Sequence, residues 1–226
     1  MTAPDYGRAF ALWRTGCAEP WRAYTRHGFV EGLRDGSLPR AAFLHYLRQD
    51  YVFLFHFARA WALAAVKATR LEEMQAAAAT VDALVHHEMQ LHIDTCAAEG
   101  ITEADLHATP ERPENMAYTR YVLEAGYSGD FLDLMAALAP CVLGYGEIGA
   151  RLGGTATSDT YSGWISVYSS TEYQQVCRDV GALIDDALIH RLGADFAQSP
   201  HWRHLCQRFD AATRLEVGFW DMGLDP

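Results

Sequence analysis

The sequence predicts an all-α protein, a single helical-bundle domain over residues 1–226. Two observations carry this. Apolar residues recur at alternating steps of three and four, the stripe that one face of a helix buries. Capping and stop residues stand where those stripes begin and end, and no β-alternation of useful length occurs.

The elements follow in order. Pro39 opens a long helix, PRAAFLHYLRQDYVFLFHFARAWALAAVKATR, because the missing proline N–H is harmless at a first helical position. Leu71 to Ala98 reads as a second long helix that stops at Gly100. Thr102 with Asp105 resembles a capped short turn of helix. TPERPEN, residues 109–115, reads as a loop, and Asn115 to Ala125 as helix, broken at Gly126–Gly129. Asp130 caps a helix running to Leu152, before a turn at Gly153. A short helix is expected within residues 161–169, then long ones over Thr171 to Arg191 and Pro200 to Met222. The total expected is about seven or eight helices.

Composition narrows the function. Apolar residues make up 50% and charged residues 21%, which suits a globular chain and excludes disorder. Lys+Arg number 18 against Asp+Glu 29, a net charge of −11 that lacks the basic footprint of nucleic-acid binding and opposes an anionic membrane. The five cysteines are odd in number, widely spaced and without a C-x-x-C pair, which fits a reducing compartment. MTAPDYGRAF has no cationic segment leading into an apolar run, so no signal peptide is expected. No segment reads as membrane-spanning, and a cytoplasmic location is expected.

Polar groups on apolar stripes are the informative feature. Phe43, Leu47, Leu54, Phe57 and Trp61 make one stripe, and Asp50 fills its gap. Trp202, Leu205, Phe209, Ala212 and Phe219 make another, and Glu216 fills that gap. A carboxylate in such a place is costly unless paired or hydrogen-bonded, so each is either a satisfied structural group or a functional one. Cys141 and Tyr145 share a face with Leu134, Leu138, Ile148 and Leu152. A free cysteine there is ordinarily core, but Pro140 before it should kink the helix. Met74, Ala78, Val81, Val85, Glu88 and His92 form a further seam. Glu88 and His92, four apart, could pair or share a metal. Phe53, Tyr118, Tyr145 and Tyr168 add aromatic surface, each individually more often packing than ligand contact. Thiol, carboxylates and rings together suit nucleophilic catalysis on a flat, polar aromatic substrate.

Several motifs occur in order along the chain: FLHYLRQDYVFLFHFARAWA at 43–62, AYTRY at 117–121, LAPCVLGYGEIG at 138–149, WISVY at 164–168 and LEVGFWDM at 215–222. The ordered set resembles the TenA family, the thiaminase II or aminopyrimidine aminohydrolase group, in its cysteine-containing branch. The resemblance implies a haem-oxygenase-like all-α bundle, a homotetramer, a small pyrimidine substrate, and neither metal nor organic cofactor. It implies Cys141, of the PC motif, as nucleophile and Glu216, three residues before the FW pair, as acid/base. Asp50 would hold the pyrimidine's amino group and ring nitrogen. Tyr118, Tyr145 and Tyr168 would line the pocket with Phe53 and Phe219. Phe53 stands where some members carry tyrosine, and HGFV at 27–30 departs from the more usual HPFV. The implied reaction converts 4-amino-5-aminomethyl-2-methylpyrimidine to the hydroxymethyl pyrimidine and ammonia, with thiamin hydrolysis as a side activity.

Three rivals stand beside this reading. A metal-dependent oxidase on the same scaffold would draw ligands from Glu88, Glu147, Asp186 and His190, although no E-x-x-H pair of the di-iron kind occurs. A non-catalytic pyrimidine-binding regulator would keep fold and pocket. Haem binding is weaker, since no histidine stands in a recognisable context.

Overall fold

The structure, a computed structural model, describes residues 4–226, and every regular element among them is helical. The α-helices in chain order are α1 (Arg8–Gly16), α2 (Ala18–Thr25), α3 (Gly28–Asp35), α4 (Arg40–Lys67), α5 (Leu71–Ala83), α6 (Met89–Ala97), α7 (Glu103–His107), α8 (Pro113–Ser128), α9 (Phe131–Thr155), α10 (Ser162–Ser169), α11 (Thr171–Leu192) and α12 (Pro200–Leu224). A π-turn, Leu84–Glu88, joins α5 to α6. The all-α class is as expected, but among the described residues twelve α-helices replace the expected seven or eight. The difference lies mainly in residues 8–35. Their three helices of eight or nine residues are too short for a periodic stripe to show.

The expected caps form. The Thr102 side chain accepts from the Asp105 N–H while Asp105 accepts from the Thr102 N–H, a reciprocal capping box. Asp130 Oδ1 accepts from the N–H groups of Leu132 and Asp133, at 2.8 and 3.1 Å. Gly100 ends its helix with a φ of 76°, a left-handed conformation natural to glycine. Two helix ends fall later than expected, α8 closing at Ser128 before Gly129 and α9 at Thr155. Pro113 sits in the first turn of α8, so part of the expected loop is helix. Gly126 is helical and packed against Leu63 and Leu134, and that packing outweighs the roughly 1 kcal/mol a mid-helix glycine costs; Gly153 lies in the exposed last turn of α9.

The residues group into two compact units. The first comprises Met1–Pro39 and Met135–Val217, the second Arg40–Leu134 and Gly218–Pro226. The first unit is centred on aromatic rings. Trp13 stacks on Trp202 at 5.3 Å and on Phe209 at 5.1 Å, and Trp21 stacks on Phe209 at 5.5 Å. Small residues on α9 admit close neighbours. A Cβ at Gly144 would strike the Tyr24 ring, and one at Gly149 the Tyr168 backbone. The second unit is built around α4. Its expected stripe of Phe43, Leu47, Asp50, Leu54, Phe57 and Trp61 is buried along its whole length.

Contrary to expectation, α9 is long and apolar enough to cross a membrane. However, 89% of the relevant stretch is buried inside the protein. A helix buried all round reads as hydrophobic all round, so core burial accounts for its composition. It passes through Pro140 as one continuous element.

Candidate active site

The second unit holds Asp50, Phe53, Tyr118 and Phe219 of the candidates. Asp50 is 5% exposed on α4, and its Oδ2 takes two contacts. The Tyr46 hydroxyl, one turn earlier, donates at 3.3 Å, and His92 Nε2 on α6 lies at 2.7 Å. The buried carboxylate is therefore satisfied, as burial of a polar group requires. Phe53 lies beside Tyr118 at 5.2 Å and Phe219 at 5.5 Å, and it stacks on Phe57 at 5.4 Å. Tyr46 meets Phe219 edge-on at 6.2 Å. Three candidate rings, supplied by α4, α8 and α12, thus form one cluster.

The sequence pairing of Glu88 with His92 needs correction. His92 Nδ1 lies 2.9 Å from the backbone carbonyl of Glu88, and its partner side chain is Asp50. The expected seam was also displaced. Met74 and Val85 are exposed, whereas Glu73, Ala77, Leu84, Met89, His92 and Cys96 are buried. Leu84 and Met89 are five apart, one residue more than an α-helical face allows. The π-turn absorbs that residue, with the Met89 N–H bonded to the Leu84 carbonyl, and so brings His92 inward. His92 lies on the expected seam, and a three-four stripe that requires a five-residue step is the signal that would have placed the residues before it.

The first unit holds Cys141, Tyr145, Tyr168 and Glu216. Cys141 is half-buried on α9, and the carbonyl of Pro140 before it accepts from the Tyr24 hydroxyl at 3.3 Å. Tyr145, one turn beyond Cys141, meets Tyr168 at 5.0 Å, and Trp164 lies 4.5 Å from Tyr168 and 5.9 Å from Tyr145. Glu216 is 1% exposed on the α12 stripe. The remaining cysteines are poor nucleophiles. Burial, with the neighbouring Asp210 carboxylate, pushes the Cys17 thiol up to about 12, and burial pushes Cys177 up to about 12. Cys96 and Cys206 are raised for the same reason, burial. Thiols so shifted stay protonated near neutral pH.

The ligands proposed for an oxidase are occupied or exposed. Glu147 Oε2 accepts from Arg14 at 3.1 Å and from the Trp21 indole N–H at 3.2 Å. Asp186 and His190 stand exposed on α11.

Comparison with known proteins gives the family. Residues 17–226 match the TENA/THI-4/PQQC family. An uncharacterized protein of Haemophilus influenzae is 38% identical over 212 residues, covering 92% of this chain and 95% of its own length. An aminopyrimidine aminohydrolase of Halalkalibacterium halodurans is 34% identical over 209 residues, covering 91% of each. A solved structure from a Silicibacter species, described as a TenA family transcription regulator, is 64% identical and covers 98% of both chains with a TM-score of 0.97. With a match over nearly its whole length, the chain belongs to the TENA/THI-4/PQQC family.

Proposed function

We propose that the protein is an aminopyrimidine aminohydrolase. It would convert 4-amino-5-aminomethyl-2-methylpyrimidine and water to the 5-hydroxymethyl pyrimidine and ammonia, with thiamin hydrolysis as a side activity. The observation that carries the reading is the burial of Asp50 and Glu216 on otherwise apolar stripes, at 5% and 1% exposure, in a chain with a relative named for this activity.

The chemistry assigned to these groups balances. The Cys141 thiolate adds to the ring carbon next to the aminomethyl arm, and a ring nitrogen takes up the displaced electron pair with a proton. That nitrogen's pair then expels the amine, which leaves as ammonia with a proton from Glu216. Water adds to the exocyclic carbon so formed, giving a proton back to Glu216. Loss of the ring-nitrogen proton and of the thiolate restores aromaticity. Asp50 binds the amino-bearing edge of the ring, and Phe53, Tyr118, Tyr145, Tyr168 and Phe219 pack against its faces. No metal or organic cofactor takes part. The reading includes a cytoplasmic homotetramer, which light scattering after size exclusion would check.

Ammonia release from a panel of aminopyrimidines and thiamin is the test. Turnover of the aminomethyl pyrimidine is expected. The description of the 64%-identical structure favours a second reading, a pyrimidine-responsive regulator. Tight pyrimidine binding with no ammonia released would select it.

A further inference from the structure

The buried Asp50–His92 pair does something the assigned chemistry has not used. His92 is 4% exposed, and its two ring nitrogens face different groups. Nδ1 faces a backbone carbonyl, that of Glu88 at 2.9 Å, which can only accept; Nδ1 therefore carries a hydrogen. Nε2 faces Asp50 Oδ2 at 2.7 Å, a separation that requires one proton on the N–O axis. Oδ2 also accepts the Tyr46 hydroxyl at 3.3 Å, which favours that proton on nitrogen. Both of the Asp50 hydrogen bonds end on Oδ2, and Oδ1 makes none among the described residues.

We propose that His92 is a positioning residue for Asp50. As a doubly hydrogen-bonded imidazolium it occupies Oδ2, leaving Oδ1 for an N–H donor on the edge of an aminopyrimidine. The substrate half of this statement rests on the hydrolase reading; the charge state of the pair does not. The groups around His92 agree. Burial lowers its pKa, but the Asp50 hydrogen bond and charge, then the Glu88 charge and carbonyl, more than reverse this and leave it above the ordinary histidine value. An anion held at the amino edge would also favour a protonated ring nitrogen, making the ring more electrophilic toward a thiolate.

The π-turn makes the arrangement possible. It steps the helix by one residue between Leu84 and Met89, after which His92, not its neighbour, faces α4. Such turns recur at functional sites, and nothing in LVHHE, which lacks proline and glycine, requires one locally.

The first test is nitrogen-15 NMR of the full-length protein. Both ring nitrogens of His92 should resonate as protonated at pH 7.5, and Asp50→Asn should leave one protonated. A wild-type His92 with a single protonated nitrogen would overturn the proposal. The second test is calorimetric titration of 4-amino-5-aminomethyl-2-methylpyrimidine into Cys141→Ala protein, with and without His92→Gln. The glutamine amide can still donate to Oδ2 but carries no charge. Binding should weaken about 10- to 100-fold, the scale of a charged hydrogen bond. Unchanged affinity in a variant with a wild-type melting temperature would remove the positioning role. If the parent protein binds no aminopyrimidine, the hydrolase reading fails, and the NMR result still decides the charge of the pair.

Discussion

The two units present opposite kinds of chemistry. In the first, the candidate nucleophile Cys141 is half-buried on a helix of small and apolar residues, with Tyr145 and Tyr168 in ring contact beyond it. In the second, Asp50 is buried and held by Tyr46 and His92, and Tyr46 meets Phe219 of a cluster with Phe53 and Tyr118. A nucleophile needs access, and a recognition carboxylate needs a fixed charge state. Under the proposed mechanism the contrast is a division of labour, with bond making on α9 and recognition of the amino-bearing edge on α4.

The contrast breaks most visibly at Cys141. If bond making resides there, Cys141→Ala should lower turnover by about three orders of magnitude or more, with the melting temperature little changed. A loss of only a few-fold would end the covalent mechanism. One thiol reagent per chain should also react first at Cys141, since burial holds Cys17 and Cys177 protonated. Peptide mapping of the labelled protein would show it.

Glu216 comes next. Glu216→Gln should lower kcat by about 100-fold or more and leave KM nearly unchanged, because proton transfer belongs to the transition state. A raised KM at full turnover would move Glu216 to the recognition side of the comparison.

Gly149 sharpens the comparison from the side of packing. Gly149→Ala puts a methyl group against the Tyr168 backbone and should cost about 1–3 kcal/mol of stability in denaturant titration, an overpacking penalty. A stability equal to that of the wild type would mean that α9 gives way at this contact without cost.

The smallest effect concerns pH. The pKa of His92 is higher in the folded protein than the ordinary value of 6.5. The folded state thus binds the proton more tightly, and the group's stabilisation is complete below pH 6.5. It is lost as pH rises through the folded value. Between pH 6 and 9 the wild-type melting temperature should fall more than that of His92→Gln. Parallel curves would mean that His92 is not charged.

Much of this was legible along the chain because helix periodicity and capping are local. A buried face must repeat every three or four residues, so the gaps at 50 and 216 announced Asp50 and Glu216 as buried carboxylates. Thr102, Asp105 and Asp130 began helices, and Gly100 closed one, where expected, because each acts within a few residues of itself. Helix continuity at Gly126 was not legible, since burial there overrides a small propensity cost.

The partner of Asp50 depended on register across helices. The stripe on residues 71–96 is one residue out of step, and only packing of α6 against α4 shows that a π-turn, rather than a shifted α-helix, resolves it. The aromatic groupings are of the same kind. Phe53, Tyr118 and Phe219 are far apart in sequence, and ring contacts between distant segments leave no periodic trace in any one of them. Local hydrogen bonding set the helices, whereas burial of side chains between helices selected His92 as the partner of Asp50.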